Sequence, residues 1–291
     1  MNFLVVFLAL AVERFFPNLS EYRQLQWLWR YAQWLHRRLG KTAWFGGVGA
    51  VAMLWGVPTG MLAWVQWYGL GRDSEFMYFL FSLLVLIWSL GPRNLGALVN
   101  HLIEARAHHD DDEARQLLSV LVGEQPWTSH SDSDRRVVET VLVDSCDWLF
   151  AILFWYVLLG PVGAAGYRLL WELLQHPSRL AAWPDAWRHV ERFYTAALAL
   201  PARWLVFCYA VTGDFVGALH GWRQWRHTDD AAPGYQRLRR LLRAGGFGAL
   251  NMREDQAFST YDIDSALGLI RRAILFYLVT MGLLTFLGWG M

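Results

Sequence analysis

Cysteine is nearly absent: Cys146 and Cys208 are the only two in 291 residues. That is too few for a disulfide framework or a four-cysteine zinc site, and both fall at or within apolar segments, where reduced packing residues are expected. Charge is scarce too. Charged residues make up 18% of the chain and the net charge is +1, which argues against nucleic acid as a bulk partner, since binding a phosphate backbone needs a clustered positive face. No HExxH and no paired CxxC occurs, so no metal and no cofactor is assigned. His101, Glu104, His108, His109 and the acidic run at 110–112 read as a solvated charged loop. Gly245, Gly246 and Gly248 lack the lysine that follows in a phosphate-binding loop, and no Ser/His/Asp arrangement stands out. Residues 1–12, MNFLVVFLALAV, lack the basic leader and small-residue cleavage site of a signal peptide and are expected to remain in the mature chain. No internal repeat is visible, which argues against an inverted-repeat transporter.

What the chain does have is apolar sequence in blocks. Apolar residues make up 55% of it, and several of its eighteen tryptophans (Trp44, Trp67, Trp88, Trp148, Trp171, Trp289) lie at block edges, as suits the headgroup layer. The organising stretch is 137–170, VVETVLVDSCDWLFAILFWYVLLGPVGAAGYRLL. Glu139, Asp144 and Asp147 precede a chargeless run, 148–167, that matches the roughly 20 residues of a membrane-crossing helix and stops at Arg168. Further apolar blocks lie at 1–12, 43–67, 76–90, 193–213 and 273–289. The expected fold is all-α: a polytopic membrane protein with four to six membrane segments plus cytoplasmic amphipathic helices. It is read as one membrane domain, 1–291, with cytoplasmic helical segments at 93–147 and 214–272. An amphipathic basic stretch at 18–42, including Arg23, Arg30, Arg37, Arg38 and Lys41, is expected in the membrane interface. Gly123 should end a short helix, Pro126 marks a loop, and Ser133 is the expected cap of the helix that leads into the central span. The residues at 172–192 read as a loop. Basic segments at 18–42, 93–136 and 214–272 alternate with lightly charged connections, which places them on the cytoplasmic side and both termini outside.

Ionisable groups at membrane depth are costly and normally face a cavity or a partner. Arg203 follows Pro201 inside an apolar block, so a bent helix presenting it to an internal polar site stands beside the reading of a purely structural ion pair. Arg168 near a span end is expected to snorkel outward. Asp144 and Asp147, three residues apart, share a helical face. With Glu139 they form a carboxylate cluster suited either to pairing with arginine or to magnesium and phosphate.

These residues carry a resemblance. The order LVVFLALAVERFFP, LFWYVLLGPVGAAGYRLL, LPAR and a terminal span resembles AmpE, an inner-membrane family tied to control of inducible β-lactamase and cell-wall recycling, and more distantly the CobD/CbiB cobalamin-biosynthesis family. The latter joins a corrinoid acid to an aminopropanol phosphate or similar amine. Its central motif runs ET, EN, D, APLFW, a Gly-rich link and YR. Glu139, Asp147, Ala151, Phe154, Trp155, Gly163, Tyr167 and Arg168 fit it, as do Pro201, Ala202 and Arg203. Val143 and Asp144 stand in place of the Glu-Asn pair, and Ile152 in place of the proline. Trp171 and Leu174 replace Asn and Asp, and Tyr194 and Thr195 replace paired acids. What the resemblance implies is a scaffold without the synthase chemistry, because the charge-stabilising groups are mostly gone. The reading is then a non-enzymatic, multi-pass bacterial inner-membrane protein modulating β-lactamase induction and the response to β-lactam antibiotic. It would bind a small anionic cell-wall-derived ligand through Arg203, Arg168, Asp147, Asp144, Glu139 and Tyr167. Membrane lipid and a protein of the β-lactamase regulatory system would be its partners. The alternative is a membrane enzyme forming an amide or phosphate ester, related to adenosylcobinamide-phosphate synthase.

Overall fold

A computed structural model describes residues 2–15, 25–39, 47–69, 75–90, 95–123, 129–180, 183, 185–227, 233–253 and 256–286; among them every regular element is helical. In chain order the helices are α1 (Asn2–Phe15), α2 (Gln26–Leu39), α3 (Val48–Tyr68), α4 (Glu75–Ser89), α5 (Leu95–Ala107), α6 (Asp111–Val122), α7 (His130–Leu159), α8 (Pro161–Gln175), α9 (Ala186–Thr212), α10 (Phe215–His227), α11 (Gly234–Ala249) and α12 (Thr260–Phe286). Arg23, Lys41, Trp44, Arg72, Asp73, Pro126, Pro184 and Trp289 lie outside the described residues.

Among the described residues, four helices are long and apolar enough to cross a membrane: Val48–Tyr68, His130–Leu159, Ala186–Thr212 and Thr260–Leu283. The protein is a multi-pass membrane protein. The apolar stretches Phe3–Glu13 and Glu75–Ser89 are helical but shorter. Trp64 and Trp67, exposed at the end of α3, suit a headgroup boundary.

The central stretch departs from the expected single span. Gly160 adopts a φ of 69° and Pro161 opens the next helix, so the chargeless run 148–167 is divided between α7 and α8. Proline is preorganised for a first helical position, and a left-handed φ is cheap only for glycine. The membrane-length helix therefore begins at His130 and carries Glu139, Asp144 and Asp147 within it. Its cap is Ser129, whose hydroxyl accepts from the Asp132 amide at 3.2 Å, and not Ser133, which is buried inside the helix. The expected loop at 172–192 is helical up to Gln175 and again from Ala186. The last helix starts at Thr260, well before the expected 273.

The chain divides into two compact units. The first comprises residues 1–92, 151–199 and 281–291. There α4 packs on α1 and on α8, and α3 packs on α8. Helix α2 buries Leu28, Ala32 and Leu35 at helical spacing, so the face expected to lie in lipid is used for packing. Gly163 permits the turn from α7 to α8: a Cβ there would stand 2.3 Å from the Trp155 carbonyl oxygen.

The second unit comprises residues 93–150 and 200–280. Helices α5 and α6 form one hairpin, with Asp110 capping α6 through the Glu113 amide at 3.0 Å. Helices α10 and α11 form another, pinned where the Asp214 amide donates to the Ala249 carbonyl at 2.7 Å. Asn251, with φ 55°, ends α11 in the left-handed region, and the Met252 amide returns to the Phe247 carbonyl at 2.9 Å. Fully buried Leu241 and Leu242 hold α11 in the unit, each contributing roughly 2 kcal/mol of apolar burial.

The α10–α11 contact is made backbone to backbone. A Cβ at Gly217 would sit 2.2 Å from the Gly248 carbonyl oxygen, with no flexible side chain to yield. Gly217→Ala should therefore cost about 1–3 kcal/mol and lower the apparent melting temperature of the detergent-solubilised protein. Gly268→Ala, with nothing within 4 Å of its new methyl, should be neutral or slightly stabilising.

Candidate functional site

The three acids of α7 converge on arginines of α11. Within the second unit Arg239 spans two carboxylates: its Nη1 donates to Asp147 Oδ2 at 3.0 Å and its Nη2 donates to Asp144 Oδ1. Glu139 Oε1 receives Arg243 Nη1 at 3.5 Å and Arg135 Nε at 3.3 Å. Asp147 is only 3% exposed, whereas Arg239 remains one-third exposed.

Local sequence explains the convergence. Asp144 and Asp147 share a face through their three-residue spacing, and Asp147 lies in a π-helical turn, Cys146–Phe150. On α11, Leu238, Leu241 and Leu242 turn inward, which carries Arg239 and Arg243, one helical turn apart, to the flank facing α7. A second pair sits on the same unit: Arg106 of α5 bonds Asp134 and reaches Ser133 Oγ at 3.1 Å. Tyr209 closes the floor, its hydroxyl 2.8 Å from the Leu142 carbonyl oxygen and 3.1 Å from Ser145 Oγ. Thiol Cys146 is fully buried beside Asp147 and free of any disulfide.

This is a pre-organised cluster of charge. Asp144 and Asp147, held by charge-assisted hydrogen bonds, keep fixed directions, and Glu139 is held beside them by ion pairs with Arg135 and Arg243. They can orient a cationic or hydrogen-bond-donating group, or release an arginine to an incoming anion. Among the described residues no three His, Cys, Asp or Glu side chains are placed to hold a metal ion.

The other expected site residues fall elsewhere. Arg203 lies on α9 in the second unit with its side chain exposed; α9 is helical from Ala186 to Thr212 through Pro201. Arg168 and Tyr167 belong to the first unit. Arg168 does not snorkel. It is 3% exposed, 3.7 Å from Glu172 Oε2, with its guanidinium 4.5 Å from the Trp171 ring centroid. Glu172 also accepts from the Trp29 indole at 3.3 Å and lies 3.5 Å from His176 Nδ1. A buried arginine is held in place of an outward one because Glu172, one turn on, cancels its charge and the indole covers its face. Tyr167 is 2% exposed and its hydroxyl meets that of Tyr194 at 3.4 Å. Tyr167, Trp55 and Phe193 line an apolar cavity of about 390 Å³, fixed by the Trp55 indole donating to the Gly166 carbonyl at 2.9 Å. His101, Glu104, His108, Asp110 and Glu113 line a small polar cavity on α5 and α6, where Asp110 serves as a helix cap.

Sequence reading missed Arg239, Arg243, Glu172 and Trp29. The arginines carried a signal, the period-3.6 apolar face of YQRLRRLLRAGG, which marks a packed helix with an oriented basic flank.

With this geometry in hand, the comparisons are decisive at the level of family. The family model described as CobD/Cbib protein matches residues 6–171, more than half of the chain and all of the Glu139–Arg168 stretch. The chain belongs to the CobD/CbiB family. It is similar to the cobalamin biosynthesis protein CobD of Stutzerimonas stutzeri (strain A1501), 32% identical over 199 residues, which are 64% of this chain and 58% of that protein. It is also similar to the cobalamin biosynthesis protein CobD of Chromobacterium violaceum, 29% identical over 213 residues, 71% of this chain and 63% of that protein. The chain thus spans about six tenths of the length of the curated relatives it matches. No solved structure matches.

These findings overturn the expected β-lactamase regulator. The family and both relatives point to cobalamin biosynthesis, and nothing in them supports AmpE, a role in cell-wall recycling or the antibiotic response. The family match at residues 6–171 covers most of the stretch that suggested AmpE.

Removing Arg239 should show that the cluster is a coupled unit. Arg239→Ala takes a charge-assisted hydrogen bond from the buried Asp147 carboxylate and should cost roughly 2–3 kcal/mol, read as a lower melting temperature. Asp144→Asn should cost about 1 kcal/mol. Arg239→Ala combined with Asp147→Asn should cost less than the sum of the single changes by about 1–2 kcal/mol.

Proposed function

We propose that this protein works in cobalamin biosynthesis as a membrane-embedded CobD/CbiB-type enzyme that joins a corrinoid carboxyl group to a phosphorylated amino alcohol through an amide bond. The observation that carries the reading is the match of residues 6–171, within which Glu139 and Asp147, retained from the family motif, sit in one arginine-braced cluster.

Amide formation expels one carboxyl oxygen, so the proposal includes a nucleoside triphosphate as co-substrate: phosphoryl transfer activates the carboxyl group and the oxygen leaves as phosphate. The chemistry then asks three things of the protein: a place for the ammonium of the amine, a route for its proton, and stabilisation of negative charge as the activated carbonyl is attacked. Asp144, Asp147 and Glu139 supply anionic acceptors for an ammonium. Arg239 and Arg243 supply donors for a developing oxyanion or a phosphate oxygen once a ligand competes for them. Asp147, the most deeply buried of the three acids, is assigned to orienting the amine. The residues at motif positions that are apolar here, Leu174 and Tyr194, are buried packing groups of the first unit and are assigned no chemical step.

The test is genetic. A bacterium lacking its own CobD/CbiB protein, grown where growth depends on making the amide from the corrinoid acid, should be restored by this chain and not by Asp147→Asn inserted at equal level. Failure of the parent chain to restore growth, with its presence in the membrane confirmed, would remove the enzymatic reading.

A further inference from the structure

The hairpin of α10 and α11 holds a cleft of about 830 Å³ that meets the carboxylate cluster only at Arg243. Among the described residues its charge is one-sided. Arg237, Arg240 and Arg243 enter from α11 at three-residue intervals, Arg253 from beyond its end and His220 from α10, while Asp214 is the only acid among the described residues that lines it. Asp214 is engaged locally, accepting from the Val216 amide at 3.0 Å at the start of α10. Arg243 is matched by Glu139 at 3.5 Å, but Arg237 and Arg253 form no ion pair among the described residues. One wall is apolar and fixed: the Trp225 indole donates to the Arg237 carbonyl at 2.7 Å. The floor is backbone, because Gly217 and Gly221 of α10 lie directly against Gly248 and Ala244 of α11.

The position of this cleft in the chain selects its ligand. Helix α9, long and apolar enough to cross a membrane, ends at Thr212, three residues before α10 begins. Helix α12, equally long, begins at Thr260, shortly after Arg253. Both ends of the hairpin are thus tethered to membrane-length helices. At its start Phe215, Val216 and Leu219 are 53%, 75% and 39% exposed. Exposed apolar side chains on a short helix beside a span, with arginines on the neighbouring flank, have the composition of an interfacial helix. Juxtamembrane basic clusters attract anionic lipid, and guanidinium forks match phosphate oxygens.

We propose that the α10–α11 cleft binds the phosphate headgroup of an anionic phospholipid, with Arg237, Arg240 and Arg253 on the phosphate and Phe215, Val216 and Leu219 seated in the acyl boundary. A soluble phosphate would satisfy the arginines but would leave the apolar rim in water, so the rim favours the lipid. The site is independent of the corrinoid reading and can fail or succeed without it.

Native mass spectrometry tests it, using the full chain released from detergent micelles that contain equimolar phosphatidylglycerol and phosphatidylcholine. The parent protein should retain phosphatidylglycerol in preference. Arg237→Gln with Arg253→Gln should reduce that retention about tenfold at unchanged melting temperature, and Arg237→Lys with Arg253→Lys should keep most of it. Equal retention of the two lipids would overturn the proposal, as would a glutamine variant that retains as much as the parent. Displacement of phosphatidylglycerol by millimolar inorganic phosphate would also overturn it, reassigning the cleft to a soluble anion.

Discussion

Two carboxylates of one membrane-length helix cannot be sequestered near each other without a cation, and Arg239 is that cation. Its guanidinium joins Asp144 and Asp147 across 95 and 92 positions of sequence, fastening α11 to α7. Much of the second unit follows from this contact. With α11 fixed by its leucine face and this fork, Arg243 reaches Glu139, and Gly246 comes against Leu142 of α7. The glycine-lined face of α11 is then left to receive α10. An arginine is suited to the task because its planar fork addresses two acceptors at once, which a lysine ammonium does less well.

The first unit solves a similar problem by different means. Arg168 and Glu172 are one turn apart on α8, both nearly out of solvent, and their remaining polarity is absorbed by Trp29, Trp171 and His176. Arg168 and Tyr167 match the family motif, and here both are built into packing. The acids that match it, Glu139 and Asp147, are built into a charged cluster. The motif thus has two kinds of content: residues that hold the fold, and residues that hold charge. Placing an amide-forming role on the second kind is consistent with that division.

Much of this was legible in the sequence, for identifiable reasons. The all-helical membrane fold follows from the apolar blocks, and the shared face of Asp144 and Asp147 follows from helical periodicity. The Gly160–Pro161 break was legible too, since that dipeptide punctuates a helix, but absence of charge across 148–167 masked it. What could not be read was which of several arginines meets the acids. Arg237, Arg239, Arg240 and Arg243 are equivalent in composition, and only the inward turn of Leu238 and Leu241 carries Arg239 to α7, Arg237 and Arg240 to the cleft, and Arg243 to both. Arg168 was misplaced because its counter-charge Glu172 is itself held by Trp29, which comes from a helix more than a hundred residues earlier. The function was misread because the motif order shared by related membrane proteins does not carry a substrate.

The most direct measurement is a visible-absorbance titration of the detergent-purified chain with a corrinoid acid, set beside the same titration of Asp147→Asn. The account predicts a saturable spectral change in the parent, with the asparagine variant still folded but failing to turn the bound corrinoid over, as the parent does, when phosphorylated amine and a nucleoside triphosphate to activate the carboxyl group are supplied. No saturable change in a correctly folded parent protein would contradict it.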